Sequence, residues 1–555
     1  IGAARPQGRL LGMRMTDALS AASARRGSSG SAGWLRLDTP QGAIFWLILL
    51  GGLLRLALAW ALGYGNGESY YVATARFWAL SYFDQPPLFL WITHAMIGLG
   101  DAELWLRLPY VLMFGVSTWL MYRLGAYLFG AWAGVWAALL LNLSAVFFLS
   151  VGSWVQPDGP LFLFLLAAAY CTARVVVPEP ETLSRAAAWG WWLATGACFG
   201  LALLSKYHAS LMMAGLLLFL LTTRGRRRWL LHPAPWVAVV IAFAIFSPVL
   251  VWNADNQWVS FLFQGGRSSG GRFRPDWLAQ NIGGQAIWLL PWVWLPMIWV
   301  FVAGLIRGPK DLRGWFLVSL AVIPIVLFTA VASWAKIGAH FHWQAPGYLL
   351  LFPLLGAATA RWLENGSRAA RIWLKASGVA TVFVLVVLGS HAATGWMRAL
   401  PYLDRAHLEH DPTLEGLDWT DLRAAARERG WYDQPGLFVV GTQWHQTGKI
   451  DVQLGDRLPV LCLCRDPRNL AFGWNQMDFA GHDAVIIGQD EFLKDFDERW
   501  RPYFASVEPQ PDIIVHRGGR AELTLHVYTA RGFKAPWPLP LPPGAPWMAA
   551  QGSAS

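Results

Sequence analysis

Cysteine and charged side chains are both scarce in this chain. It has four cysteines in 555 residues, and Asp, Glu, Lys and Arg together make up only 14% of it, whereas 55% is hydrophobic. So few cysteines exclude a disulfide-rich scaffold, and so little charge excludes a disordered or an ordinary soluble protein. Aromatic residues, in contrast, are abundant, with 35 Trp and 30 Phe. The composition therefore predicts a protein that crosses a membrane several times.

Two of the cysteines, Cys462 and Cys464, are separated by one residue. This spacing is too close for a relaxed disulfide, and no second pair accompanies it to complete a zinc site. We interpret both as packing residues of a folded core.

Long apolar runs dominate the first 400 residues. A membrane-spanning helix needs about 20 mostly apolar residues, and eleven candidate runs predict an all-α polytopic membrane protein with about 11 transmembrane helices. The fifth and sixth runs are short and closely spaced, so a broken pair of helices is an alternative to two full crossings. The runs lie near residues 43–63, 108–127, 130–149, 158–177, 188–205, 209–223, 234–252, 283–306, 314–334, 346–363 and 372–393.

Positive charge is distributed unevenly between the two sides that these runs define. The net charge of +10 alone would also fit a nucleic-acid-binding protein. Most Arg and Lys residues of the membrane part, however, lie before the first run or in alternate connecting segments. Because such segments face the cytoplasm, we expect a cytoplasmic N-terminus, an outward-facing first polar loop and C-terminal part, and no nucleic-acid partner.

The composition also divides the chain into four parts. Residues 1–42 are rich in Arg, Ser, Gly and Ala, which predicts a disordered cytoplasmic tail. Residues 43–395 hold the apolar runs. From 396 to 535 charge returns, and short apolar runs at 437–440 and 483–487 alternate with helical stretches, which predicts a small α/β domain outside the membrane. Residues 536–555 form a Pro-rich tail.

Two acidic residues on the outward side are the first candidates for chemistry, because an acid at a membrane edge is costly to desolvate. Glu68 lies in the first outward loop, and Asp158 lies at the outer end of the fourth run. Capping of a helix N-terminus explains Asp158 as well as function does. Further polar residues of the first loop that suit substrate positioning are Tyr70, Tyr71, Asp84 and Gln85.

Several cations and histidines lie on the same outward side, against the overall charge bias, and this indicates contact with an anion. Lipid headgroup contact by a solvated loop is the alternative. Two histidines at a spacing of two resemble a metal pair, but no third ligand adjoins them, so local hydrogen bonding is the simpler interpretation. The residues are Lys206, Arg267, Arg274, Lys336, His340 and His342.

Carboxylates and cations on one membrane face suit group transfer from a lipid phosphate. A carboxylate can take the proton of an acceptor hydroxyl, while a cation stabilises the departing phosphate. A proton-coupled transporter would use the same residue types, but it would be expected to carry mid-span charges and an internal repeat, and neither is clear here. Arg55, which interrupts the first run, either snorkels or pairs with an acid near the outer surface.

Six short motifs occur in a fixed order along residues 43–395. They are ESYY at 68–71, YFDQPPL at 82–88, VQPDG at 155–159, GLALLSKY at 200–207, PVLVWN at 248–253 and HWQAP at 342–346. Together they resemble the bacterial branch of the dolichyl-phosphate-mannose protein mannosyltransferase superfamily, which includes the aminoarabinose lipid A transferases. The C-terminal part is similar to the tail of this branch through DPT at 411–413 and GKIDVQLG at 448–455.

The resemblance implies a GT-C fold and an inverting transfer of a sugar from a polyprenyl (undecaprenyl) phosphate donor. The acceptor would be a lipid, glycan or protein of the cell envelope, at the periplasmic face of a bacterial inner membrane. Glu68 would be the base and Asp158 would orient the acceptor or a metal. No cofactor is required, although Glu68 and Asp158 could hold a divalent ion. Donor-phosphate contacts would be Lys206, Arg267, Arg274, Lys336 and His342, and positioning residues would be Tyr70, Tyr71, Asp84, Gln85 and His340.

Two positions depart from the family pattern. Members usually carry Asp-Glu where this chain has Gly67-Glu68, and that Asp is the usual candidate base. Gln85 stands where relatives often carry His or Lys, which removes one expected phosphate contact. With that Asp missing, either Glu68 does its work, or Asp158 takes a larger share, or the chain is a catalytically diverged binding relative. A lipid or sugar transporter or flippase, which would use the same acids and cations, is the other alternative function.

Overall fold

The computed structural model describes residues 35–100, 102–179, 182–268, 271–334, 340–400 and 411–539. Most of the predicted N-terminal tail and most of the predicted Pro-rich tail lie outside these residues. The described chain forms a helical membrane part followed by a small domain built on one sheet. This arrangement confirms the predicted fold class.

The membrane part consists of helices and short irregular connections. Its α-helices are α1 Pro40–Ala61, α2 Asn66–Ala75, α3 Leu88–Ile97, α4 Glu103–Phe129, α5 Ala131–Asn142, α6 Asp158–Val176, α7 Arg185–Ser205, α8 Ala209–Thr222, α9 Pro233–Asp255, α10 Val259–Ser268, α11 Pro275–Leu289, α12 Pro291–Arg307, α13 Leu312–Ala332, α14 Ala345–Leu349, α15 Phe352–Glu364 and α16 Arg368–Thr394.

Eight helices of the described chain are long and apolar enough to cross a membrane: α1, α4, α6, α7, α9, α12, α13 and α16. The remaining predicted runs, 130–149, 209–223 and 346–363, fall on the shorter helices α5, α8 and the pair α14–α15. The run at 130–149 is shortened because α5 ends at Asn142 and a π-helical turn follows at Phe147–Val151. All eleven runs are therefore helical, and eight of them form a single helix long enough to cross a membrane, whereas the other three form shorter or interrupted helices.

Helix starts follow recognisable local signals. The Thr39 hydroxyl accepts from the backbone N–H of Gly42, and Pro40 occupies the first position of α1. Asp311 caps α13 in the same way, by accepting from the backbone N–H of Gly314. Such caps satisfy backbone donors that have no partner within the helix, and so they fix where each span begins.

The C-terminal domain contains a five-stranded mixed sheet in the order β2-β1-β3-β5-β4. Its strands are β1 Phe438–Gly441, β2 Val460–Cys462, β3 Ala484–Gly488, β4 Ser506–Arg517 and β5 Arg520–Arg531, and its helices are α17 Thr420–Glu428, α18 Trp444–Leu454 and α19 Phe496–Arg499. The strand β1 pairs in parallel with β2 and β3, whereas β5 is antiparallel to β3 and β4. The two apolar runs predicted from the sequence are the central strands β1 and β3, and apolar clusters cover both faces of the sheet.

Cys462 and Cys464 form a disulfide, so the interpretation of the pair as packing thiols was wrong. The strand β2 ends at Cys462, and the chain there brings the two Cα atoms to 5.4 Å. That separation is within the usual range for a disulfide. Spacing in sequence was a poor guide because the local backbone conformation sets the distance.

The domain is attached to the membrane part through α18, which packs on α2. At Gly448 the two backbones touch, since an added Cβ atom would lie 2.5 Å from the backbone nitrogen of Tyr70. One turn further along α18, the Asp451 carboxylate accepts a hydrogen bond of 2.6 Å from Arg76 Nε. The motif at 448–455 therefore serves as the docking surface for the first polar loop.

Lys449, next to this contact, joins three segments of the chain. Its buried ammonium group donates to the backbone carbonyls of Tyr64, Glu415 and Leu417. Burial lowers the pKa of Lys449 to about 8. The hydrogen bonds fix the start of the first loop against the segment that leads into the C-terminal domain.

We expect Gly448→Val to loosen the domain from the first loop, because the branched side chain cannot fit against Tyr70. Overpacking of this kind costs about 1–3 kcal/mol. Thermal unfolding of the purified protein and limited proteolysis of the 396–419 segment would measure the effect. Gly190→Val in α7 is the matched control, since no atom lies within 4 Å of an added Cβ there. Equal behaviour of the two variants would contradict the close contact.

Candidate active site

Polar side chains converge at the end of the membrane part that carries the C-terminal domain, here called the domain end. They come from α2, from the loop that follows it, from the start of α6, from the residues after α7, and from the domain itself. These side chains surround Tyr71 on α2. Burial raises its pKa, the negative charges of Asp84 and Asp158 raise it further, and Arg468 opposes them. Both carboxylates and the guanidinium of Arg468 thus act on one hydroxyl.

Asp84 is buried and held from two sides. The Tyr70 hydroxyl donates to Asp84 Oδ1 at 2.9 Å, and the Gln264 side chain donates to the Asp84 backbone carbonyl at 2.6 Å. The Tyr70 hydroxyl itself accepts from the backbone N–H of Asn469, at 3.0 Å. Burial and the charge of Asp84 raise the pKa of Tyr70 well above its usual value. Tyr70 therefore stays protonated and orients the Asp84 carboxylate.

Gln85 lies beside the same pair. Its side-chain amide donates to the Tyr71 hydroxyl at 3.4 Å. The four predicted positioning residues of the first loop, Tyr70, Tyr71, Asp84 and Gln85, therefore form one connected group in the structure.

Asp158 and Lys206 form an ion pair at the same end. Lys206 Nζ lies 3.0 Å and 2.8 Å from the two carboxylate oxygens, and both side chains are largely buried. Asp158 is the first residue of α6, a position that favours negative charge. Its carboxylate makes no capping hydrogen bond to the described backbone and instead binds Lys206, the residue at which α7 ends.

Glu68 is fully buried and has a complete set of partners. Arg107 of α4 donates to both of its oxygens, at 2.8 Å and 2.6 Å. The same carboxylate accepts from the backbone N–H groups of Val155, at 2.9 Å, and of Gly65, at 3.2 Å. These contacts tie the first loop to α4 and to the segment before α6.

Of the predicted cations other than Lys206, Arg274 is the one whose side chain the structure describes. Lys336 lies outside the described residues, and so does the side chain of Arg267, whose backbone belongs to α10. Arg274 is exposed, pairs with Asp276 at 2.7 Å and lies over the ring of Trp277. These contacts place Arg274 on the surface rather than in the group around Tyr71.

The two predicted histidines lie in a loop near the residues that follow α7. The His340 and His342 rings are 5.4 Å apart, and the ring of Trp343 packs against both His340 and His208. Within the described residues, no group of three or more His, Cys, Asp or Glu side chains is placed to hold a metal ion. A metal bound by Glu68 and Asp158 stays a prediction, and each of these acids already pairs with a cation.

Sequence reasoning missed the residues that the C-terminal domain contributes. Arg468 and Asn469 lie in the loop after β2, and the Arg468 guanidinium stacks on Trp444 of α18 with 3.7 Å between its central carbon and the ring centroid. Nothing local in the sequence marks Arg468. The available signal was indirect, namely the motif at 448–455, which begins close to Trp444 and packs on the first loop.

Arg55 in α1 neither snorkels nor pairs with a described acid. Its buried guanidinium donates to the Phe148 carbonyl at 3.2 Å and to the Asn142 side-chain oxygen at 2.9 Å. The rings of Phe114 and Phe148 lie about it, with centroids at 4.2 Å and 4.1 Å. Neutral oxygens and aromatic faces thus satisfy this charge within the bundle.

Comparison with known proteins adds to this geometry. A family model described as dolichyl-phosphate-mannose-protein mannosyltransferase matches residues 84–252. No curated protein sequence matches the chain. The structure resembles ArnT from Cupriavidus metallidurans, both in the apo state (TM-score 0.60, 17% identity) and bound to undecaprenyl phosphate (TM-score 0.57, 18% identity). Each match covers 90% of this chain and 98% of ArnT. The chain therefore has the GT-C fold that ArnT shows, and over residues 84–252 it carries the sequence pattern of the mannosyltransferase family.

Proposed function

We propose that this protein is a glycosyltransferase that moves a sugar from a polyprenyl-phosphate donor to an acceptor of the cell envelope. The observation that carries the proposal is the convergence of Asp84, Asp158, Lys206 and Arg468 around Tyr71. The matched family segment begins at Asp84 and includes Asp158 and Lys206. The undecaprenyl phosphate in one ArnT structure supports the choice of donor.

We assign the role of base to Asp84 rather than to Glu68. The Glu68 carboxylate is enclosed by Arg107 and two backbone N–H groups. The Asp84 carboxylate instead lies in the group around Tyr71, with Asp158 and Arg468, and is oriented by the Tyr70 hydroxyl. In the proposed step, Asp84 takes the proton of the acceptor hydroxyl as that oxygen bonds to the anomeric carbon. The bond from this carbon to the phosphate oxygen breaks, and the electron pair leaves with the phosphate. One displacement inverts the anomeric centre.

Asp158 and Lys206 have complementary parts in this scheme. Lys206 offers positive charge toward the leaving phosphate, and Asp158 holds the ammonium group in place through both carboxylate oxygens. A fixed cation stabilises developing negative charge more than a mobile one does, because no reorganisation is needed during the reaction.

We place the site on the periplasmic face of a bacterial inner membrane. Two features support this orientation. At the end opposite the domain end, where α6 finishes, the arginine-rich segment 224–228 packs through Arg226 against Glu179 and the Val176 carbonyl, and positive segments face the cytoplasm. The domain also holds the Cys462–Cys464 disulfide, and disulfides persist in oxidising compartments. A lipid A-type lipid, a glycan and a protein are all acceptors of the proposed class.

Envelope analysis tests the proposal directly. Lipids and glycans from a deletion strain, the parent strain and a strain complemented with Asp84→Asn would be compared by mass spectrometry. We expect one glycoside to be present only in the parent. A transporter or flippase would instead move a lipid or sugar without forming a new glycosidic bond. An unchanged set of glycosides, together with substrate flux in reconstituted vesicles, would overturn the assignment.

Substitution of Gly67 tests whether the chain is a catalytically diverged relative that only binds its ligand. No atom lies within 4 Å of a Cβ added at Gly67, so Gly67→Asp fits without rearrangement. Because an Asp in the first turn of a helix is favourable, we expect Gly67→Asp to raise the free energy of unfolding by about 0.3–1 kcal/mol, measured by thermal unfolding. Gly67→Asn is the control without charge. We also expect the wild type to be active already, so transfer that appears only in Gly67→Asp would favour the binding relative.

A further inference from the structure

We propose that the C-terminal domain completes the donor site by supplying Arg468 as a ligand of the lipid-linked phosphate. This inference rests on the proposed function. It goes beyond that function in assigning phosphate recognition to a residue outside the membrane part, on a loop between β2 and β3.

Arg468 lies close to the group around Tyr71. Its guanidinium carbon lies 6.0 Å from the centroid of the Tyr70 ring and acts electrostatically on both Tyr71 and Asp84. Arg468 therefore lies next to the proposed base, where the phosphate of a donor must come if its sugar is to reach Asp84. A planar guanidinium with several donors suits phosphate recognition.

The contacts of Arg468 hold one edge and one face of its guanidinium. Its Nε donates to Asp466 at 3.3 Å, and the flat side of its guanidinium stacks on Trp444. Within the described residues, its two terminal nitrogens make no hydrogen bond to protein. The side chain is 22% exposed. Stacking thus fixes the plane of the group while leaving its strongest donors available for an anion.

The loop that carries Arg468 has an unusual backbone conformation. Arg468 has a φ of 49°, in the left-handed region that non-glycine residues rarely adopt. Such a conformation persists only where the surroundings enforce it, and it is concentrated at functional sites. Here Asn469 enforces it, because its side-chain oxygen accepts from the Phe83 N–H at 2.8 Å and its own N–H donates to Tyr70.

Three other described cations near the first loop are paired with carboxylates. Arg76 is paired with Asp451 at the docking surface, and Arg107 is paired with Glu68 in the interior. Lys206 is held by both oxygens of Asp158. Arg76 also donates from a terminal nitrogen to the Asp451 backbone carbonyl. Of these four described cations, Arg468 is therefore the one whose terminal nitrogens make no hydrogen bond to the described protein.

Binding to full-length protein in detergent tests the proposal, with undecaprenyl phosphate and undecaprenol as paired probes. We expect Arg468→Gln to weaken undecaprenyl phosphate binding by about ten- to a hundredfold, as loss of a charge-assisted contact would. Binding of undecaprenol, which has no phosphate, should stay the same. Arg468→Lys keeps the charge and should recover part of the affinity. A merely structural role for Arg468 would weaken both probes equally.

Arg465→Gln is the matched control, since Arg465 lies in the same loop with a side chain that is 75% exposed. It should bind both probes as the wild type does. If the wild type transfers sugar and binds undecaprenyl phosphate, but Arg468→Gln binds it equally well, the inference fails while the proposed function stands. If the wild type binds neither probe and forms no glycoside, both fail. If inorganic phosphate binds as tightly as undecaprenyl phosphate, and if that binding also depends on Arg468, the ligand is free phosphate and the proposal of a lipid-linked phosphate is overturned.

Discussion

Replacement of Asp84 by Asn is expected to lower sugar transfer by about a hundred- to ten-thousandfold, the usual contribution of a positioned general base. Asn keeps the size of the side chain and can still accept from the Tyr70 hydroxyl, so the buried group around it should stay folded. Turnover of a polyprenyl-phosphate-linked sugar by purified protein would measure the loss. Thermal unfolding of the same sample would show that the fold is retained.

The matched control for this variant is Asp255→Asn. Asp255 is an exposed carboxylate at the C-terminal end of α9, close in sequence to residues that contact the first loop. Its replacement should leave transfer unchanged. Full activity of Asp84→Asn would contradict the assignment and return the role of base to Asp158 or Glu68.

Glu68→Gln is expected to act mainly on stability. Loss of the carboxylate leaves the Arg107 guanidinium buried without its counter-charge, and breaking a buried ion pair from one side costs about 3–5 kcal/mol. Two further backbone donors, those of Val155 and Gly65, would also face a weaker acceptor. We therefore expect a much lower unfolding temperature in detergent and a lower yield from membranes.

The effect of Glu68→Gln can be distinguished from that of a lost base. Asp276→Asn removes an exposed ion pair of similar length and should leave the unfolding temperature unchanged, because solvent screens such pairs. A Glu68→Gln variant that unfolds like the wild type but transfers no sugar would restore Glu68 as the catalytic carboxylate. Low stability together with residual transfer would support the structural role.

The fold class could be predicted from the sequence because lipid imposes strict rules on length and polarity. Runs such as 43–63 and 234–252 coincide with α1 and α9, since a spanning helix must satisfy its own backbone. The run at 346–363 does not form one clean span, because the chain breaks between α14 and α15. Hydropathy averages over such breaks, and only the local backbone shows them.

The site was partly predictable for a different reason. Tyr70, Tyr71, Asp84 and Gln85 lie close together in sequence, so one loop identifies them as a group. The partner of Glu68 lies 39 residues away on α4, and Asn469 lies 399 residues from the Tyr70 to which it donates. Pairings over such distances depend on how the elements pack, which no local pattern encodes. This is why the sequence did not show the partners of Glu68 and why the contribution of the C-terminal domain was missed.

The backbone contact between α18 and α2 has a consequence for the order in which the protein matures. Arg76 and Asp451, which pair across this contact, are separated by 375 residues. The first loop is synthesised early, but its contacts with α18 can form only after residues 444–454 have been synthesised and the C-terminal domain has folded. Until then, Arg468 and Asn469 are also missing from the group around Tyr71. A chain that terminates before residue 468 therefore lacks part of the polar group on which sugar transfer is proposed to depend.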